Sequence, residues 1–395
     1  MFTSPGKKTT VYPWRSGNTF TLLNDGVNFF PAMLDAIDHA KRHVLVELYL
    51  VRSGRIVTEF VVAFCAAARR GVRVQLLFDG YGASGLSRQD RQTLRKAGVT
   101  LAFYNPVKFS QPYRWLFRDH RKIIVIDDEV AFIGGMGFTD DFIVNARGIP
   151  PWRECVVAVK GENVRDWHDA FDLAWPIAAA APAEIIATQP ATSRASQRGR
   201  VVLSDALGRR EIRRATVLEM RNAQRRIWIA TAYFLPSRKI RQALRRAARR
   251  GVDVRLLLPG KWVDHPAVRR AGHRFYARSL HAGVRIFEYQ PRFLHAKVVL
   301  CDEWVSLGSS NIDRWNFRWN LEANQEVRDP EFCADVVATL SRDFTEAQEI
   351  HFHDWSQRSR YGRLQEWLWG KMDRLLDRLK PTRTRTRQKQ RRERH

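Results

Sequence analysis

The chain is short of acid. Asp and Glu number 41 against 67 Lys and Arg, which leaves a formal charge of +26 over 395 residues. Such an excess calls for a polyanionic partner, either nucleic acid or an anionic membrane surface, and charge alone does not choose between them. Cysteine is scarce too. Cys65, Cys155, Cys301 and Cys333 stand far apart with no CxxC pair, so neither a zinc site nor a disulfide framework is indicated, and a reducing compartment is the simpler expectation. No stretch approaches the roughly 18 apolar residues of a membrane span, and the opening MFTSPGKKTTVYPW has no apolar core of signal-peptide type. A soluble or peripheral protein is expected. No carboxylate-rich cluster marks a two-metal centre, so neither metal nor cofactor is expected.

What the sequence has is repetition. HRKIIVID (120–127) returns as HAKVVLCD (295–302), with histidine, lysine and aspartate at the same spacing. AAARRGVRVQLLFDG (66–80) matches RAARRGVDVRLLLPG (246–260), each a basic helix end, a glycine stop and an apolar strand. KAGVTLAFYNP (96–106) and AKRHVLVELYLV (40–51) likewise match HAGVRIFEYQP (281–291) and AQRRIWIATAYFL (223–235). Offsets that drift by a few residues are loop insertions within one repeated unit. Strands alternating with helices predict an α/β fold with a parallel or mixed sheet, built as two related α/β/α lobes packed as a pseudo-dimer. The predicted division is an extension at 1–19, a lobe at 20–174, a linker rich in Ala, Pro, Ser and Thr at 175–200, and a second lobe at 201–349. An amphipathic helical region at 350–380 and a basic disordered tail at 381–395 follow.

Side chains at i and i+2 of an extended strand share a face, so His120 points with Lys122 and His295 with Lys297. If the two strands meet at a pseudo-two-fold axis, two imidazoles and two ammoniums surround one cleft at the lobe interface. That set suits a phosphodiester, whose negative oxygens must be neutralised before phosphorus can be attacked and the leaving oxygen protonated. Lys122 and Lys297 would neutralise. One neutral histidine would attack, forming a phosphohistidine, and the other, protonated, would serve as acid and then base.

These motifs resemble the phospholipase D superfamily, whose His-x-Lys-(four residues)-Asp signature is followed by Gly-Ser-x-Asn. The second copy continues as GSSN (308–311), whereas the first reads GGMG (134–137), with Gly135 and Gly137 where Ser and Asn are expected. GSSNIDRWNFRWNLEANQEVRD (308–329) is similar to the bacterial cardiolipin synthases. The resemblance implies a catalytic set of His120, Lys122, Asp127, His295, Lys297 and Asp302, with both aspartates orienting lysine or backbone groups. It favours His120 as nucleophile. It further implies a carboxylate behind each imidazole, Glu322 for His295 and Glu154 for His120, and phosphate contacts from Ser309 and Asn311. The expected activity is transfer of a phosphatidyl group between two phosphatidylglycerol molecules at a bacterial membrane, on its cytoplasmic side. Hydrolysis of the phospholipase D type is the alternative, and a nuclease a more distant one.

The flanks lean towards lipid. YRWLF (113–117) and RWNFRWN (314–320) mix arginine with aromatics suited to a headgroup region, although the same residues stack on nucleic-acid bases. In YGRLQEWLWGKMDRLLDRLK (361–380) Leu364, Trp367, Leu368, Met372, Leu375, Leu376 and Leu379 share one helical face. That pattern fits a helix lying in a membrane interface or one packed on the lobe. The tail TRTRTRQKQRRERH (382–395) would add attraction to anionic lipid, and equally to nucleic acid.

Overall fold

The computed structural model describes residues 11–106, 117–144, 148–175, 196–205, 210–314 and 319–357. Most of YRWLF and RWNFRWN, the helix expected at 361–380 and the basic tail lie outside these residues, as does most of the linker.

The first lobe runs β1 (Arg15–Asn24), α1 (Gly26–Asp38), β2 (His43–Leu48), α2 (Arg55–Arg69), β3 (Arg73–Asp79), α3 (Arg88–Lys96), β4 (Thr100–Tyr104), β5 (Ile123–Ile126), β6 (Val130–Gly134), β7 (Cys155–Gly161) and α4 (Asn163–Asp172). The second runs β8 (Gln197–Ser204), α5 (Glu211–Asn222), β9 (Arg226–Thr231), β10 (Phe234–Leu235), α6 (Arg238–Arg249), β11 (Asp253–Pro259), α7 (Pro266–His273), α8 (Tyr276–Leu280) and β12 (Arg285–Tyr289). It continues through β13 (Lys297–Cys301), β14 (Trp304–Gly308), β15 (Ile312–Asp313), β16 (Glu322–Arg328), α9 (Pro330–Thr345), β17 (Ala347–Ile350) and α10 (Phe352–Ser356). Helix α2 forms because Ile56, Val57, Phe60, Val61, Phe64 and Ala67 repeat on one buried face. It stops where Gly71 turns left-handed (φ 87°) and the Val72 amide reaches back to the Ala67 carbonyl at 3.1 Å. Gly251 (φ 89°) closes α6 in the same way.

Among the described residues fifteen strands join in one mixed sheet, in the order β17-β12-β11-β9-β13-β14-β16-β8-β1-β7-β6-β5-β2-β3-β4. Apart from β17, the order reads the same outward from the β8–β1 seam in both directions, and that seam is where the pseudo-two-fold passes. Alternation along the strands builds three layers. Leu45, Leu77, Ile123, Val125, Ile133 and Val157 face a core shared by both lobes, with Trp167 of α4 and Phe332 and Val336 of α9 inside it. Their neighbours Val44, Val46, Leu76, Ile124 and Ile126 face the helices of the first lobe, and Ile227, Ile229, Leu256 and Val299 do the same in the second. The fold class is therefore the expected one, two related α/β/α lobes, with their sheets merged into one.

The boundaries differ from those expected. The first lobe already starts at Arg15, and the last residues of the expected linker, 197–200, are strand β8, which pairs with β1 on one side and β16 on the other. Helix α10 belongs to the second lobe, because its Trp355 packs against Tyr276 of α8 at 4.7 Å between ring centroids. Buried polar contacts fasten the lobes, Trp167 Nε1 to Gln325 Oε1 at 2.8 Å and Arg153 to Asp343 at 3.0 Å, and the partly buried pair of Arg292 and Asp25 adds another at 2.6 Å.

Candidate active site

Both His-x-Lys segments arrive at the seam in extended conformation and are stitched to the opposite lobe. The amide of His120 donates to the Leu321 carbonyl at 3.0 Å, and that of Leu321 to the Arg118 carbonyl at 2.9 Å. On the other side the His295 amide donates to the Arg153 carbonyl at 2.8 Å, and the Arg153 amide to the Phe293 carbonyl at 2.8 Å. Lys122 immediately precedes β5, and Lys297 opens β13.

This stitching exchanges the carboxylates between lobes and corrects the assignment made from sequence. His120 Nδ1 lies 3.0 and 3.2 Å from the two oxygens of Glu322, and His295 Nδ1 lies 2.6 Å from Glu154 Oε2. Each imidazole is thus held by the other lobe's glutamate. The physical reason is that Glu154 and Glu322 directly follow Arg153 and Leu321, the residues that pair with the opposite motif. Both carboxylates are fully buried, while the imidazoles keep 14% and 10% of their side-chain surface open. A carboxylate on Nδ1 fixes the tautomer that leaves Nε2 with a lone pair.

Burial sets the proton affinities. It pulls the Lys122 ammonium down to about 7, with Glu322 opposing and the charge of Lys297 adding to the fall. Burial also lowers Lys297, against the pull of Glu154. His120 is lowered by burial, partly offset by Glu322, and His295 is lowered further by burial and by Lys297. Glu154 is pushed up to about 7 by burial, which the nearby Lys297 opposes. Lys297 Nζ stands 3.7 Å from Glu154 Oε2 and donates to the His295 carbonyl, as Lys122 Nζ does to the His120 carbonyl at 2.6 Å. An arriving phosphodiester anion would restore charge to both amines, so substrate completes the electrostatics of the cleft.

Asp127 and Asp302 are elsewhere. Each turns left-handed after its strand (φ 53° and 50°), and each carboxylate collects three consecutive backbone amides. Asp127 accepts from Lys41, Arg42 and His43 at 2.7–2.8 Å, and Asp302 from Gln224, Arg225 and Arg226 at 2.8–2.9 Å. They anchor the starts of β2 and β9, a whole strand of about 16 Å from the lysines, so they belong to the scaffold and not to the reacting set.

Ser309 and Asn311 divide their work. The Ser309 hydroxyl donates to Glu322 Oε2 and accepts from the Ala323 amide at 3.0 Å. Its hydrogen therefore steadies the carboxylate, where the sequence suggested a phosphate contact. Asn311 Oδ1 accepts from Thr231 Oγ1 at 3.2 Å and the Tyr233 amide at 3.3 Å, leaving its buried Nδ2 without a hydrogen-bond partner among the described residues. In the first lobe the glycines are obligatory. A Cβ on Gly135 would lie 2.8 Å from Glu154 Cδ and nearer still to Oε2, and one on Gly137 would lie 2.7 Å from the Leu50 carbonyl oxygen. The Cys155 amide serves Glu154 instead, at 2.9 Å.

Several neighbours escaped the sequence reading. Tyr49 packs on His120 with ring centroids 4.8 Å apart and lies beneath Lys122, and Trp152 packs on His295 at 5.0 Å. Tyr233 donates its hydroxyl to Asp264, whose charge supports His295 and Lys297. The recurrence of tyrosine after β2 and near the end of β9 was the available signal.

The family model described as cardiolipin synthase, PLD-like domain, matches residues 33–175 and 217–345. The chain is 34% identical over 357 residues to cardiolipin synthase A of Pseudomonas putida (strain W619), covering 89% of this chain and 74% of that one. It is 30% identical over 365 residues to cardiolipin synthase 1 of Bacillus anthracis, covering 88% and 70%. Among solved structures, phosphatidylserine synthase of Haemophilus influenzae Rd KW20 superposes with a TM-score of 0.66 at 14% identity, covering 91% of this chain and 93% of that one.

Proposed function

The chain belongs to the phospholipase D-like family of cardiolipin synthases, and we propose from that premise that it moves a phosphatidyl group from one phosphatidylglycerol to another and releases glycerol. The observation that carries the reading is the pair of imidazoles, each fixed at Nδ1 by a buried glutamate of the opposite lobe and each beside a buried lysine.

In this reading Nε2 of His120 attacks phosphorus as Lys122, Lys297 and Asn311 Nδ2 take the non-bridging oxygens. The bond from phosphorus to the glycerol oxygen breaks, and that oxygen receives a proton from Nε2 of His295, which acts here as the imidazolium favoured once the phosphodiester anion is bound beside it. The donor's phosphatidyl group is now bonded to His120. A hydroxyl of the second phosphatidylglycerol then gives its proton to His295 and attacks phosphorus, and the bond to His120 breaks. Water could follow the same route, so synthesis over hydrolysis requires that the acceptor lipid exclude it. Glu322 and Glu154 hold the rings and offset the imidazolium charge as it appears, without taking the proton.

We further read the enzyme as peripheral to a bacterial membrane on its cytoplasmic side. The +26 charge favours anionic lipid, no helix among the described residues is long and apolar enough to cross a bilayer, and all four cysteines are buried thiols. Mass spectrometry of lipids from a bacterium lacking its own cardiolipin synthases is the test. Expression of this protein should produce cardiolipin, and accumulation of phosphatidic acid without cardiolipin would replace the synthase reading by a hydrolase.

A further inference from the structure

At the far end of β5 from the histidine pair lies a cluster that the reaction does not use. His43 opens β2, Asp128 sits in the β5–β6 turn and His168 lies on α4. One ligand atom from each falls within 4.8 Å of the others. Asp128 Oδ1 is 3.2 Å from His43 Nε2 and 2.5 Å from His168 Nδ1. His43 is 5% exposed, and its buried Nε2, although 3.2 Å from the carboxylate, makes no well-aligned hydrogen bond among the described residues. A buried imidazole nitrogen that faces a carboxylate at ion-pair distance without a well-aligned hydrogen bond is placed to bind something held between them. On the far side of the His168 ring, Nε2 faces Asp172 Oδ2 at 3.7 Å, the carboxylate–histidine arrangement that commonly backs a metal ligand.

The duplication supplies a comparison within the chain. The Asp127 amide donates to the His43 carbonyl, and the Asp302 amide to the Arg226 carbonyl, so Arg226 and Glu303 occupy in the second lobe the places of His43 and Asp128. There Glu303 is 61% exposed and pairs with Arg225 across the surface. The scaffold therefore does not require two histidines and an aspartate at this turn. Their presence in one lobe alone points to a ligand.

We propose that His43 Nε2, Asp128 and His168 Nδ1 bind a divalent transition metal of the zinc class, with water completing the tetrahedron. Two imidazoles and one carboxylate form a donor set suited to that ion. Bonds of about 2.0–2.1 Å separate tetrahedral ligand atoms by roughly 3.3 Å, which the His43–Asp128 distance already meets, while the Asp128–His168 contact must open by a carboxylate rotation. The ion would tie together a strand, a turn and a helix. Six strand residues, about 20 Å, separate His43 from Tyr49 at the reacting pair, so the ion stabilises the lobe and takes no part in phosphoryl transfer.

The test uses untagged full-length protein stripped with EDTA, dialysed and titrated with zinc chloride by calorimetry, with thermal unfolding recorded with and without zinc. The wild type should take up about one equivalent and melt several degrees higher with it, because only the folded state presents the site. His43→Gln and His168→Gln should lose both effects, while His39→Gln, at an exposed histidine, should keep both. Should His43→Gln fail to fold, His168→Gln on the accessible side of α4 decides alone. Wild-type protein that takes up no zinc overturns the proposal, and so does an undiminished equivalent and midpoint shift in folded His168→Gln.

Discussion

Restoring the family serine in the first lobe should damage the enzyme. Gly135→Ser makes GSMG out of GGMG, closer to the signature, yet its Cβ would lie 2.8 Å from Glu154 Cδ and closer to Oε2. Glu154 is fully buried and bonded to His295 at 2.6 Å, so it has no room to retreat without releasing the imidazole. Overpacking of this kind costs about 1–3 kcal/mol, and losing a charge-assisted hydrogen bond about 1.5–3 kcal/mol more. An unfolding entropy of about 0.8 kcal/mol/K for a chain of this length converts the combined loss into a midpoint roughly 3–7 °C lower. Turnover should fall by at least about tenfold, since the hydrogen-bond term alone is worth one to two decades. Differential scanning calorimetry and cardiolipin formation in detergent-dispersed phosphatidylglycerol read the two effects. Wild-type stability together with wild-type turnover in Gly135→Ser would refute the argument that this glycine exists to make room for the carboxylate.

Replacing either reacting histidine, His120→Ala or His295→Ala, should remove all but about one per cent of turnover, measured as cardiolipin formed per minute. The exchanged pairing predicts that Glu154→Gln, which removes the carboxylate on Nδ1, lowers the pKa of His295 and leaves His120 nearly unmoved, which histidine-labelled NMR titration of the empty enzyme resolves. The basic limb of kcat/KM should fall near pH 7, where Lys122 loses its proton in the free enzyme; a flat profile to pH 9 would contradict it. Stability carries the same signature. Lys122, with its folded pKa depressed to about 7, makes the fold more stable as pH rises from 7 towards 10, because only the unfolded chain then holds the proton. Glu154, raised to about 7, acts in the opposite sense between about 4.5 and 7. Truncation after Gln357, which spares α10, should weaken co-sedimentation with anionic vesicles at moderate salt while detergent turnover persists.

The duplication was legible because its carriers are local. Apolar strands, glycine helix stops and the His-x-Lys spacing each occupy a few adjacent residues, and together they imply two α/β lobes meeting at a seam. The carboxylate exchange was not legible. Chain proximity assigns Glu154 to His120 and Glu322 to His295, and only the cross-lobe bridges at Arg153 and Leu321 reverse the pairing. The start of strand β8 reads as linker because Gln197, Arg198, Gly199 and Arg200 lack apolar alternation; strands on both sides make it extended regardless. Asp127 and Asp302 share the motif with the reacting groups for a reason the spacing hides. The same short strand that presents the lysine at one end must be tied down at the other.

The central claim is a single phosphohistidine site built from both lobes, and quench-trapping tests it most directly. Phosphatidylglycerol carrying a radiolabel in the phosphate that joins its two glycerols is mixed with enzyme, quenched in alkali within one turnover and mapped by peptide. Acid-labile label on the peptide containing His120, absent from His120→Ala, is the predicted result. Rapid cardiolipin formation with no label on either histidine peptide would contradict the account.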